Sequence, residues 1–532
     1  MTALAHQADV AVIGASLGGV VAAWRLCMLG QRVLLAAEHP WLGGQMTAQG
    51  VPPDEHAAIE RGGACASYLQ FREAMRAHYR AQAGFKDHTV MTEGLNPGDG
   101  WVSRLCIEPA VAARWFEDWL APHVASGRLQ LVRGVVPVAV QREGRRIVSV
   151  TLRDIKAQTQ TVRAAYFIDA TDTGALLPLA ALPYRLGKES RDEFEEPDAP
   201  VLADALDQQP VTHVMAVRLC AQPGPVIAAP AAYAFWRAQR VPHYGHAQLS
   251  LAMPSSRPGQ STALPLFGSG ATLDWWRYRR VVAAHQWPGA AREEVSLVNW
   301  AANDHALQPL LDGPHTQSEV GTAARELSLC LLHWLQTEAP RDDGHGWHGW
   351  PELQLAVDML GTHDGLAQQV YVRESRRIHA LRTLHQRDIA VDTVNAGHDV
   401  NAPMHDDTSV GVAWYNLDIH PTCRSGHGTN ARVRPFVLPL GSFVAGDVDN
   451  LLPGCKNIGV SHLVNACTRV HPVEWLVGEV AAHLASRCVL TRHTPTEVHR
   501  AHSETQALQR DLQRAGIPLA WRREWLSGLT PH

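Results

Sequence analysis

Three things are scarce in these 532 residues. The nine cysteines are scattered, and no two stand at the close spacing of a zinc site or a redox dithiol. Such a set fits reduced, buried thiols in the cytoplasm, and no metal site is expected. No apolar stretch is long enough to cross a bilayer, and Met1–Ala8 carries no charged-then-apolar leader. Long basic runs are also missing and the formal net charge is −5, which argues against a nucleic-acid partner because phosphate binding needs clustered Lys and Arg. What is present is an ordinary globular balance, 46% hydrophobic and 19% charged, in a chain long enough for two or three domains.

Asp9–Ile13 reads as a short buried strand followed by a turn, Gly14-Ala-Ser16-Leu17-Gly18-Gly19. A helical run then reaches Leu29, and a second apolar strand, Val33–Ala37, ends at Glu38. This is a β-α-β unit with an acid closing its second strand. Gly14 permits a tight turn, and Gly19 permits close packing of helix on sheet. The helix N-terminus, from Leu17 and Gly18, offers free N–H groups to a pyrophosphate, and Glu38 is placed to accept from ribose hydroxyls. The middle glycine of G-x-G-x-x-G is Ser16, which puts a side chain where backbone should meet phosphate.

A turn at Gly43, Gly44, Gln45 and Met46 follows the ribose acid and would lay backbone against pyrophosphate and flavin, a need that NAD enzymes do not share. Tyr166–Ala170 reads as another short strand, continued by Thr171 and Asp172. Asn457–Val460 reads as the end of a last strand, and Pro472 with Val473 as the start of a helix to about Ala485. That helix would point its positive end at a flavin pyrimidine. Val136 completes the expected cofactor-binding set, and the expected cofactor is FAD.

Several longer segments carry a resemblance. They are PPDEH (52–56), LNPGDGWVSRLCIEP (95–109), FIDATDTGALLPLA (167–180), VRESRRI (372–378), LDIHP (417–421) and LLPGCKNIGVSHLVNACTRVHPVEWLVGE (451–479). Together they resemble the FAD-dependent oxidoreductase family, a bacterial branch of the glutathione-reductase-like flavoproteins. The resemblance implies an α/β fold: a Rossmann-type FAD-binding domain formed by N- and C-terminal segments, with an inserted α+β substrate domain. The FAD domain is expected over 1–190 and 405–490, the substrate domain over 191–404, and a helical tail over 491–532. Glu319–Thr337 reads as an amphipathic helix with Ala323, Leu327, Leu331 and Leu335 facing the core.

A second dinucleotide unit is not visible, since Gly268-Ser269-Gly270 lacks the third glycine and a helix pattern after it. The simplest chemistry is hydride transfer between a small polar CH–OH or CH–NH substrate and flavin N5, with a base taking the heteroatom proton. Among 29 histidines, His420, His462 and His471 lie in the resembling C-terminal segments and are the catalytic candidates, with Arg469 as a substrate anchor or charge balance. His56 is a weaker candidate for substrate contact or flavin attachment, and Cys65 reads as an inert buried thiol. The cluster Arg373, Glu374, Arg376, Arg377 reads as a helix making ion pairs, with Arg373 or Arg376 as the alternative anchor. Asn96 and Arg104 are singled out by the resemblance alone. Two other readings stay open: a monooxygenase reduced by a separate partner, and a non-redox protein with structural FAD. The electron acceptor is oxygen or a redox partner, and nothing in the sequence sets the oligomeric state.

Overall fold

The computed structural model describes residues 4–255, 259–270, 272–289, 292–341, 343, 346, 348–391 and 402–529. Its first unit is β1 (Leu4–Ile13), α1 (Leu17–Met28) and β2 (Val33–Ala37). Helix α2 (Pro109–Ala125) leads into β3 (Leu129–Arg133), and β4 (Val135–Glu143), β5 (Arg146–Asp154) and β6 (Thr159–Asp169) follow as an antiparallel meander. Strands β3, β2, β1 and β6 run parallel in that order. β6 is shared along its free edge. Its first residues pair antiparallel with β5, and Phe167–Asp169 pair parallel with a strand from the far end of the chain, Leu451–Pro453.

A second sheet is antiparallel and four-stranded. It orders β8 (Arg280–Val282), β9 (Glu294–Val298), β7 (Met215–Leu219) and β10 (Leu353–Leu355). Helix α3 (Gln317–Thr337) shares a core with it through Leu327, Leu331 and Leu335. Thr316 and Glu319 cap α3 reciprocally, an arrangement worth about 1 kcal/mol. Ala323 is only half-buried and Ala324 takes its core position, while the three leucines keep the expected line.

The C-terminal part supplies β11 (Leu417–Ile419) paired with β12 (Thr429–Ala431), then β13 (Leu451–Pro453), α4 (His462–Thr468) and α5 (His471–Thr491). The last strand therefore precedes Asn457–Val460 rather than coinciding with it. The chain turns at Gly454, where an added Cβ would lie 2.4 Å from the Ile168 side chain, and Asn457 donates to the Asp169 carbonyl instead of joining the sheet. Helix α5 begins at His471 and runs to Thr491, six residues beyond the expected end. It packs on α1 so closely that a Cβ on Gly478 would come within 2.2 Å of the Gly18 carbonyl. The segment 372–378 is also not a helix. It is extended, with Arg377–Ile378 in a short strand pair, because its guanidinium groups are held by carboxylates from elsewhere in the chain. Among the described residues no helix is long and apolar enough to cross a membrane.

Candidate functional site

Parallel pairing aligns Ile13 with Ala36 and Asp169, and Pro453 with Asp169. The carboxyl ends of four strands thus meet at one edge, where ligands bind in open α/β sheets. Gly14 stands there at φ +105°, and a Cβ would reach within 2.2 Å of the Ala170 carbonyl. Gly19 fits equally tightly under Gly14, 2.2 Å from its carbonyl. Ser16 does not crowd the turn. Its hydroxyl accepts from Gly19 N at 3.2 Å and caps α1, so the substituted fingerprint position serves the helix itself.

The α1 N-terminus is held by charge as well. Gly18 N donates to Glu474 Oε1 at 3.1 Å, and the other carboxylate oxygen accepts from Gln45 Nε2 at 2.5 Å. Lys456, fully buried, sits 2.7 Å from Asp172 and 3.4 Å from Glu474. Burial opposes its charge, but Asp172, Cys455 and Glu474 together hold its pKa well above the ordinary lysine value. Burial likewise opposes ionised Asp172, and Lys456 overcomes it, so this carboxyl is held below its usual range. Lys456 and Glu474 escape a motif search; the only sequence signal is a lone cation in the apolar run LLPGCKNIG.

Above this edge lies a cavity of about 540 Å³. Gly14, Ser16, Glu38 and Gly44 line one side, and Val136, Ala170, Thr171 and Asp172 another. Glu38 ends β2 with its side chain 59% exposed, open to a ligand hydroxyl. The remaining expected contacts lie beneath the lining. Gly43 donates to the Ala15 carbonyl, Gln45 and Met46 are buried in the turn, and Leu17, Asn457, Pro472 and Val473 pack below it.

A second cavity, about 750 Å³, draws on 55–57, 90–104, 244–301 and 414–430. It is therefore not built from 191–404 alone. His420 lines it from the end of β11. Its Nδ1 lies 2.5 Å from Asp304, and its Nε2 3.7 Å from Asp418. The ring is set deep, yet a quarter of its side chain is open to the cavity. Burial and Arg373 oppose a charged imidazole, but the two carboxylates outweigh them and raise its pKa above the ordinary histidine value. Arg373 ion-pairs with Asp304 at 2.9 Å, and Arg469 with Asp418 at 3.1 Å while donating to the Tyr371 hydroxyl at 2.6 Å. Arg469 thus does not reach Glu474, the nearest acid in sequence. Asp304, 116 residues from His420, had no sequence signal.

The other histidines are placed differently. His462 is buried against Glu189, 2.9 Å from Nδ1, and lines neither cavity. His471 accepts from Asp54 N and bonds the Val51 carbonyl through Nε2, and burial pushes its pKa down to about 3. It joins the 51–54 segment to the start of α5. His56 and Arg104 line the larger cavity. Asn96 does not; it is fully buried and ties its own loop to Gly100, Ser103 and Cys106. Arg376 pairs with Asp312, and Arg377 with Glu189 and Glu374. Cys65 is buried, and desolvation holds its thiol well above the usual range.

Several buried polar atoms have no hydrogen-bond partner among the described residues, among them Gln45 Oε1, Asn465 Oδ1, Arg373 Nε and Arg469 Nε. Such orphans are costly unless a ligand meets them. A donor-and-acceptor set of this kind beside a glycine cradle fits a flavin dinucleotide, whose pyrimidine ring carries both kinds of group.

A search of curated proteins finds no match to the chain. Among solved structures, CabE, an aromatic hydroxylase from angucycline biosynthesis, is 13% identical, covering 96% of this chain and 68% of its own at a TM-score of 0.32. A geranylgeranyl bacteriochlorophyll reductase-like protein from Thermoplasma acidophilum is 10% identical, covering 96% and 85% at 0.33. The myxobacterial chondrochloren halogenase CndH, an FAD-dependent halogenase, is 17% identical over 40% of this chain at 0.22, and the chain spans only 43% of its length. The family described as FAD dependent oxidoreductase matches residues 9–512, nearly the whole chain; the protein belongs to that family, and its cofactor is FAD.

Proposed function

We propose that the chain is an FAD-dependent dehydrogenase or oxidase that removes hydride from a small polar organic substrate of CH–OH or CH–NH type. The observation carrying this reading is His420, open to a large cavity and oriented by two carboxylates. In this reading the glycine cradle and Glu38 hold the dinucleotide, residues 1–190 and 405–490 form most of its domain, and 191–404 supply most of the cover over the substrate. Bound FAD supplies a hydride acceptor at N5. The neutral imidazole of His420 takes the proton from the substrate heteroatom. Asp304 fixes the ring through Nδ1 and stabilises the imidazolium that results, while Arg373 and Arg469 keep the two carboxylates ionised. His462, bonded to Glu189, and His471, bonded to the backbone of 51–54, stand away from the cavity and serve the fold instead.

The test is anaerobic titration of the purified protein with alcohols, amines, hydroxy acids and sugars. We expect one class to bleach the visible flavin band completely. Bleaching by none of them, with a stable oxygen adduct after reduction by an added partner, would replace this reading with the monooxygenase one.

A further inference from the structure

We infer that the occupant of the His420 cavity is an uncharged, polyhydroxylated molecule of sugar size, oxidised at a CH–OH group. This rests on the dehydrogenase reading above and narrows its substrate.

Charge is the first argument. The two acids deepest in the cavity wall already have partners. Glu55 is held by Arg72 at 2.8 Å and by the Tyr68 hydroxyl at 2.5 Å. Asp418 is held by Arg469 and faced by His420. The remaining charges on the lining, half-buried Arg104 and exposed Glu93, have opposite signs. An ionic substrate would meet no fully buried counter-charge left unmatched on this wall.

The neutral groups point the other way. Asn299 is 3% exposed; its Oδ1 accepts from Arg373 at 3.3 Å, and its Nδ2 has no partner among the described residues. The Tyr415 phenol and the amides of Asn416 and Asn430 also line the cavity without a hydrogen bond to another described residue. Burial, with Asp54 and Asp418 nearby, keeps the Tyr415 phenol protonated well above its ordinary range, so it remains a donor. Neutral amides and phenols that both donate and accept are the complement of hydroxyl groups.

The apolar part of the wall is aromatic. Trp101 and Tyr278 lie side by side with ring centroids 4.5 Å apart, and Trp414 stands elsewhere on the lining. The indole N–H groups of Trp101 and Trp414 are donated to the Asp274 and Val433 carbonyls. What they offer a ligand is carbon surface, suited to the C–H faces of a sugar ring. The step balances within the holoenzyme. The carbinol C–H bond breaks and its hydride passes to FAD, the O–H proton passes to neutral His420, and a carbonyl is left.

The experiment uses the holoenzyme with methyl hexopyranosides, aldohexoses and alditols, set against lactate and primary alkylamines. Quenching of tryptophan fluorescence reads occupancy, and anaerobic loss of the visible flavin band reads oxidation. At least one neutral polyol should quench saturably and bleach, with lactate and amines inert. Asn299→Asp, and Asn416→Ala as the gentler change, should each weaken polyol quenching at least tenfold with FAD content unchanged. Bleaching by lactate or an amine, with polyols inert, overturns the substrate class and leaves the dehydrogenase reading standing. Saturable polyol quenching with no bleaching by any compound supports the occupant and overturns the dehydrogenase reading. Polyols that neither quench nor bleach overturn the inference.

Discussion

The two cavities are made of different material. The smaller one is anchored on the backbone of its glycine turn, with side chains such as Glu38, His213, Arg325 and Gln368 completing the lining. Glycines at 14, 18, 19 and 454 pack within about 2.4 Å of what a Cβ would occupy, and capped helix ends close it. The larger one is made of side chains brought from four separated stretches, with ion pairs holding Glu55, Asp418 and His420. A turn packed this closely tolerates no added atom. A site made of side chains can change its chemistry one residue at a time on the same scaffold. In the function proposed above, the cradle holds the cofactor and the second cavity takes the substrate.

Substitution should separate the two regions. Gly18→Val places a Cβ about 2.1 Å from the Gly454 carbonyl, and we expect loss of FAD retention and of about 3 kcal/mol or more of stability, read by flavin content and denaturant unfolding. The joint between the regions, His471, should appear as acid sensitivity. Its pKa is lowered in the folded state, so its contribution is complete above the unfolded value near 6.5 and is lost as pH falls toward about 3. This amounts to roughly 5 kcal/mol across that window, and the slope of stability against pH should flatten in His471→Asn. In the side-chain cavity, His420→Gln should slow flavin reduction about 10²- to 10⁴-fold while FAD stays bound; full-speed reduction would remove it from the chemistry. Glu38→Ala should have the smallest effect. Its carboxylate is largely exposed, and weakening of FAD binding by about tenfold or less is expected on dilution or dialysis.

What could be read from the chain follows the same division. The cradle is local: Gly14 to Glu38 is one contiguous unit whose spacing reflects backbone geometry, and the structure keeps it in place. Its closing strand was less legible. Leu451–Pro453 is three residues long, and its place beside β6 depends on a partner nearly 300 positions earlier, so the neighbouring NIGV segment looked more strand-like. The 373–377 charges suggested a helix because their spacing suits helical ion pairs. Their actual partners, Asp304, Asp312 and Glu189, are distant in sequence, and only the folded chain shows that the segment is buried and extended. The pairing of His420 with Asp304 has the same character. Three histidines shared one C-terminal neighbourhood, and only tertiary contacts separate the one open to a cavity from the two tied to backbone and Glu189.

The most direct test of the account is the pH dependence of anaerobic flavin reduction by a bleaching substrate, in the wild type and in His420→Gln. As a base, His420 acts only when neutral, and its pKa is raised. The rate should therefore rise with pH through an apparent pKa above about 6.5, falling tenfold per unit below it, and this limb should vanish in the variant. A limb that persists unchanged in His420→Gln would contradict the assignment of the larger cavity as the site of substrate oxidation by this histidine.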